Sequence, residues 1–211
     1  MRPILLRRGS PLPRLQWRQP TEEAATSTAS RVWTYADLEQ MPESEDGRRY
    51  EIIDGDLIAT ASPIPLHQLV LIRATRGFDR AALAADAGVV LTAPIDVRFA
   101  PRQVAVPDLL FIARDRLDII GPKAIEAAPD IVVEIFSPST RSRDRGRKMD
   151  MYARFGVREY RLIDPEAGSV VAFELRNGHY QALPQEGGVA RSKVLPGLAI
   201  DLASLFLPAG G

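Results

Sequence analysis

A glutamate sits in the middle of a strongly apolar run. Ile131-Val132-Val133-Glu134-Ile135-Phe136 carries a single carboxylate among aliphatic and aromatic side chains. A short, nearly continuous apolar run rich in β-branched residues reads as a strand buried on both faces. An ionised carboxylate is costly there unless it is paired or bound to a cation. Asp108-Leu109-Leu110-Phe111-Ile112 repeats the situation, with Pro107 before the carboxylate that opens the run. If the two strands are neighbours in one sheet and both carboxylates point to one face at one end, they converge.

Composition narrows what such a pair can do. The chain has 211 residues, 45% of them hydrophobic and 26% charged, which suits one globular domain with a sizeable core. Lys plus Arg equals 27 and Asp plus Glu equals 27, so the formal charge is zero. Any nucleic-acid contact must therefore use a local patch rather than a global field. The absence of cysteine removes disulfides, thiolate zinc sites and cysteine nucleophiles. With only His67 and His179, a histidine-rich metal cage is not expected either. No apolar run is long enough to span a bilayer, and Ile4-Leu5-Leu6 is too short for a secretory signal. A cytoplasmic protein is the expectation.

Residues 1–30 read as a disordered tail or misassigned start, with Arg2, Arg7, Arg8, Arg14 and Arg18 as a candidate basic arm. Residues 32–207 read as a single α/β domain with a mixed central β-sheet flanked by helices. Thr34 is an N-cap for a short helix to about Gln40. Tyr50–Ile53 and Leu57–Thr60 flank the hairpin turn Asp54-Gly55. A helix is expected from Leu66 to Ala85, with Leu69, Ile72, Phe78 and Leu83 apolar. Val89–Leu91 and Ile95–Phe99 read as strands, and Arg114–Pro129 as a loop or short helix. A helix from Arg143 to Phe155 follows the Glu134 strand. Glu159–Ile163, Ser169–Leu175 and, after Asn177-Gly178, Tyr180–Leu183 complete the pattern.

Asp108 and Glu134 are hard oxygen ligands suited to Mg²⁺ or Mn²⁺, with the Ile135 carbonyl as a further donor. The alternative is that each carboxylate caps a turn or meets an arginine. On the helix after Glu134, Asp144, Lys148 and Tyr152 share one face, so Lys148 could reach back to the sheet edge. Its bland reading is a solvated lysine paired with Asp144. Glu51 could supply another metal oxygen. His67, at a helix start, could meet a phosphate or a metal, or serve structure alone. Arg141, Arg143 and Arg145 suit phosphate oxygens, or form an ordinary exposed charge run. No Gly-x-Ser-x-Gly elbow or partner base supports a serine nucleophile.

The ordered set of segments resembles a known family. Tyr50-Glu51-Ile52-Ile53-Asp54-Gly55-Asp56-Leu57, Ser62-Pro63 with His67, Pro107-Asp108, and Val132-Val133-Glu134-Ile135-Phe136-Ser137-Pro138-Ser139-Thr140 come first. Asp144-Arg145-Gly146 with Lys148 and Tyr152, Gly156-Val157-Arg158-Glu159-Tyr160 with Asp164-Pro165, and Leu195-Pro196-Gly197-Leu198 complete it. Together, from about Val32 to Leu207, they are similar to the Uma-two family of restriction-endonuclease-like proteins. The resemblance implies a PD-(D/E)xK core, αβββαβ in outline. That motif places lysine two residues after the glutamate, where this chain has Phe136. The family moves the lysine to the following helix, which maps it onto Lys148. The metal carboxylates map onto Asp108 and Glu134, and Glu51 and His67 match further family positions. The resemblance implies a metal-dependent endonuclease acting on DNA, acting as a homodimer where duplex cleavage calls for two sites. A catalytically silent binding or assembly protein on the same fold is the alternative.

Overall fold

The computed structural model describes residues 31–41, 48–60, 62–137 and 145–206. The first half of the chain runs α1 (Tyr35–Leu38), β1 (Arg49–Ile53), β2 (Asp56–Thr60), α2 (Pro65–Ala84), β3 (Gly88–Thr92), β4 (Val97–Ala100), β5 (Gln103–Ala105) and β6 (Leu109–Ala113). A 3-10 segment, Arg114–Ile119, leads towards β7 (Ile131–Ile135), α3 (Arg147–Arg154), β8 (Glu159–Asp164), β9 (Ser169–Arg176) and β10 (His179–Ala182). The chain then forms β11 (Val189–Arg191), β12 (Ala199–Asp201) and α4 (Leu202–Leu205).

β7 lies inside a six-stranded mixed sheet of order β10-β9-β8-β7-β6-β3. It runs antiparallel to β6 and parallel to β8. A parallel neighbour needs a crossover, and α3 lies in it. Every residue of β7 is buried, as the continuous apolar run predicts. Alternation then sorts its side chains between two cores. Ile131, Val133 and Ile135 pack with Val70, Leu71, Ala74 and Phe78 of α2. Val132 and Phe136 pack with Met151 and Tyr152 of α3 and with Ile53 of β1.

Helix α2 departs from its expected face. Its buried residues are His67, Val70, Leu71, Ala74, Phe78, Ala81 and Ala82. Of the apolar positions picked from sequence only Phe78 is buried, while Leu69, Ile72 and Leu83 are exposed. Small alanines let the helix approach the sheet closely, and they set the phase that larger residues were expected to set.

Two further departures concern short strands. A separate antiparallel sheet of order β2-β1-β5-β4 stands beside the large one, where one mixed sheet was expected. Its β5 has only three residues, too few for alternation to register, and β4 starts at Val97 rather than Ile95. β11 and β12 are equally short. With Leu195, Leu198 and Leu205 they close the α2 side of the core.

The local signals that were expected do appear. Thr34 caps α1 in a reciprocal box with Asp37. Asp54 and Gly55 have φ of 55° and 83°, the paired positive values of a two-residue hairpin turn. A Cβ on Gly55 would also lie 2.8 Å from Val32 Cγ1. Among the described residues no helix is long and apolar enough to cross a membrane. The tail of residues 1–30 lies outside the described residues, as does the expected start of the helix at Arg143.

Candidate active site

The strand register brings the two carboxylates together. Leu109 of β6 is opposite Val133 of β7. One further step along this register sets Asp108, just before β6, opposite Glu134. Glu134 shares its side of β7 with Val132, so it points at α3. Asp108 and Glu134 are each 4% exposed.

Lys148 comes from α3 to meet Glu134 and Glu51. Lys148, Met151 and Tyr152 are the buried residues of this helix, spaced as one inward face. Lys148 Nζ lies 2.8 Å from Glu134 Oε1 and 2.8 Å from Glu51 Oε1. The solvated reading of this lysine is therefore overturned, since it is 2% exposed and held between two carboxylates. Asp144, its alternative partner, lies outside the described residues. Glu51 reaches the site from β1, and its Oε1 also accepts the Val106 N–H at 2.9 Å.

Asp108 has a different set of partners. Its Oδ2 accepts the backbone N–H of Ile135 at 2.8 Å and lies 3.2 Å from His67 Nε2. A carboxylate only accepts, so this contact places the ring proton on Nε2. Arg49 Nη1 stands 3.6 Å from Asp108 Oδ1. Burial pushes the Asp108 carboxyl up, but the His67 hydrogen bond and charge, the Ile135 amide and Arg49 outweigh it and hold the group below its ordinary value. His67 Nδ1 and Arg49 Nε are buried with no hydrogen-bond partner among the described residues.

Two residues join the site that sequence reasoning did not assign to it. Tyr152 was placed on the Lys148 stripe only as packing, yet its hydroxyl donates to Glu134 Oε1 at 2.6 Å. Burial, then the Glu134 and Glu51 charges, raise its phenol well above the ordinary value, so it stays a donor. Arg49 stands beside Asp108, and the family segment quoted above begins one residue after it.

Of the arginines proposed for phosphate, Arg141 and Arg143 lie outside the described residues. The Arg145 guanidinium lies over the Phe136 ring, 5.1 Å from its centre.

The donor chemistry fits a hard divalent cation in part. Among the described residues no three His, Asp or Glu side chains gather as a ready metal cluster. Glu51, expected as a metal oxygen, is held by Lys148. The facing pair Asp108 and Glu134 remains, and Mg²⁺ usually takes only one or two carboxylates, with water and substrate phosphate completing its shell.

A mixed sheet whose inner strand carries a glutamate bound to a buried lysine from the following helix belongs to the restriction-endonuclease-like fold class. The chain is a member of the Uma2 family, described as "Putative restriction endonuclease", whose model matches residues 35–203. A crystal structure described as a putative nuclease belonging to DUF820, from Anabaena variabilis, has the same fold. It superposes with a TM-score of 0.67 at 18% identity, over 82% of this chain and 96% of that one. The comparison with curated proteins gave no match.

Proposed function

We propose that this protein is a divalent-metal-dependent phosphodiesterase that cuts DNA. The observation that carries the reading is the buried Lys148 ammonium 2.8 Å from Glu134, one register step from the position opposite Leu109. Asp108 and Glu134 would hold Mg²⁺ or Mn²⁺, with Glu51 beside them. The ion, when bound, supplies Lewis acidity towards a phosphoryl oxygen and lowers the pKa of a bound water.

The protein's own groups divide the remaining work. Lys148 offsets charge that develops on the phosphate and orients the attacking water. Tyr152 fixes the Glu134 carboxylate by donating to it. His67 has Nε2 committed to Asp108, which gives it the task of holding that carboxylate in place. Arg49 balances the same group. Three carboxylates, Glu51, Asp108 and Glu134, thus face two fixed cations, Lys148 and Arg49. With a formal charge of zero on the whole chain, DNA is held by a local patch. Duplex cleavage by such a site calls for two copies, hence a homodimer.

One observation favours a second reading, a catalytically silent binding or assembly protein. Lys148 already stands between Glu51 and Glu134, so the protein supplies a cation of its own to these carboxylates. Nicking of supercoiled plasmid separates the two. Wild type should nick with Mn²⁺ and not with EDTA, and Asp108→Ala and Lys148→Ala should not nick. Equal activity in all three proteins would discard the nuclease reading, and no activity in wild type would favour the silent one.

A further inference from the structure

We propose that the Lys148 ammonium is a built-in cation filling a seat between Glu51 and Glu134 that a divalent ion would otherwise take. The proposal rests on the reading of Asp108 and Glu134 as metal carboxylates. It adds that the neighbouring seat is closed by the protein itself, so wild type holds one ion fewer than its carboxylates could.

The seat is built from opposite sides. Glu51 belongs to β1 of the small sheet and Glu134 to β7 of the large one. Their Oε1 atoms both lie 2.8 Å from Lys148 Nζ. Each of those oxygens is also fixed by a donor other than lysine. Glu51 Oε1 accepts the Val106 N–H, and Glu134 Oε1 accepts the Tyr152 hydroxyl. The lysine therefore does not gather the two carboxylates unaided. Backbone and phenol pre-position them, and the ammonium sits where both point. All three charged side chains are nearly inaccessible to water.

Two buried carboxylates so placed need a positive charge between them, because like charges repel strongly at low dielectric. A lysine meets that need without exchange, whereas a divalent ion exchanges with solvent. Oxygen ligands approach Mg²⁺ at about 2.0–2.1 Å and Ca²⁺ at about 2.3–2.6 Å, so an ion in this seat would need the carboxylates to close inward slightly. Removing the lysine side chain frees the volume and the charge for that closure.

The test counts bound Mn²⁺ by calorimetry and by electron paramagnetic resonance, without reference to cleavage. Lys148→Met and Lys148→Gln should each bind one more Mn²⁺ per chain than wild type. The double variant Lys148→Met with Glu51→Gln removes the cation and one counter-charge together, and should return to the wild-type count. If the single variants are unfolded without metal, saturating Mn²⁺ should restore a cooperative melt. An unchanged or lower count in both single variants, an extra ion persisting in the double variant, or no rescue of unfolded protein overturns the proposal. Plasmid nicking by wild type is scored apart. A wild type that nicks while the count stays flat refutes only the seat. A rising count with a wild type that never nicks refutes only the nuclease.

Discussion

Lys148 and Glu134 are 14 residues apart in sequence, and their Nζ and Oε1 atoms are 2.8 Å apart in space. The lysine is buried, so its removal takes away the ammonium that Glu51 and Glu134 share. Breaking a buried charge pair in this way costs about 3–5 kcal/mol. Lys148→Ala should lower the urea midpoint accordingly at neutral pH without metal. A loss under about 1 kcal/mol, the worth of an exposed pair, would show the lysine to be solvated.

This contact was within reach of sequence reasoning for a physical reason. Strand β7 fixes Glu134 by parity, and a helix of period 3.6 fixes Lys148 and Tyr152 to one face. What was illegible lay in long-range partners. Glu51 was expected on a metal, and nothing in Tyr50-Glu51-Ile52 says that its oxygen meets a lysine from α3. The small sheet escaped notice because Gln103–Ala105 is too short to show a period. The phase of α2 was misread because Ala74, Ala81 and Ala82, rather than Leu69, Ile72 and Leu83, face the core.

Tyr152 tests whether Glu134 is positioned by its hydroxyl. Tyr152→Phe keeps the ring packing against Phe99 and Tyr160 and deletes only the donor. Stability should fall by about 1–3 kcal/mol, the cost of leaving a buried acceptor short of a partner. Nicking should fall by about 10–100-fold, as for an outer partner of a metal ligand, with the Mn²⁺ count unchanged. Full nicking activity in a folded variant would restrict the phenol to packing.

Asp108 and His67 should separate by magnitude. Asp108→Asn retains an acceptor for the Ile135 N–H but loses the charge, so the chain should fold and nicking should fall by more than about 100-fold. His67→Asn removes a partner of Asp108 rather than a ligand, and the loss should stay within about 10–100-fold. Equal losses in single-turnover nicking would give His67 a direct part in the reaction.

Arg161 and Glu159 form a second buried pair that sequence reasoning treated as ordinary strand. Both are fully buried, with Arg161 Nε 2.6 Å from Glu159 Oε1. Glu159 Oε2 also accepts from Ser192 Oγ at 2.8 Å and Lys193 N at 2.9 Å, tying β8 to the C-terminal strands. Glu159→Ala should cost about 3–5 kcal/mol and leave nicking by the folded protein intact. Alternation along β8 places these side chains on the α2 side, opposite to Tyr160, so a loss of nicking without a loss of stability would contradict this structural role.

Tyr180 gives a pH signature away from the site. Its hydroxyl donates to the Val157 carbonyl at 2.8 Å, and burial pushes its phenol up. A folded pKa above the unfolded value of about 10 means that the native state keeps its proton longer. The contribution to stability is therefore complete below about pH 10 and is lost as pH rises towards the folded value. At pH 8, Tyr180→Phe should be less stable than wild type by about 0.5–1.5 kcal/mol for the lost hydrogen bond. Above pH 10 that gap should close by up to about 1.4 kcal/mol per pH unit, because wild type alone loses the tyrosine term. Urea midpoints for both proteins between pH 8 and 11 provide the measurement. A gap that stays constant across this range would show that the phenol ionises as freely in the folded chain as in the unfolded one.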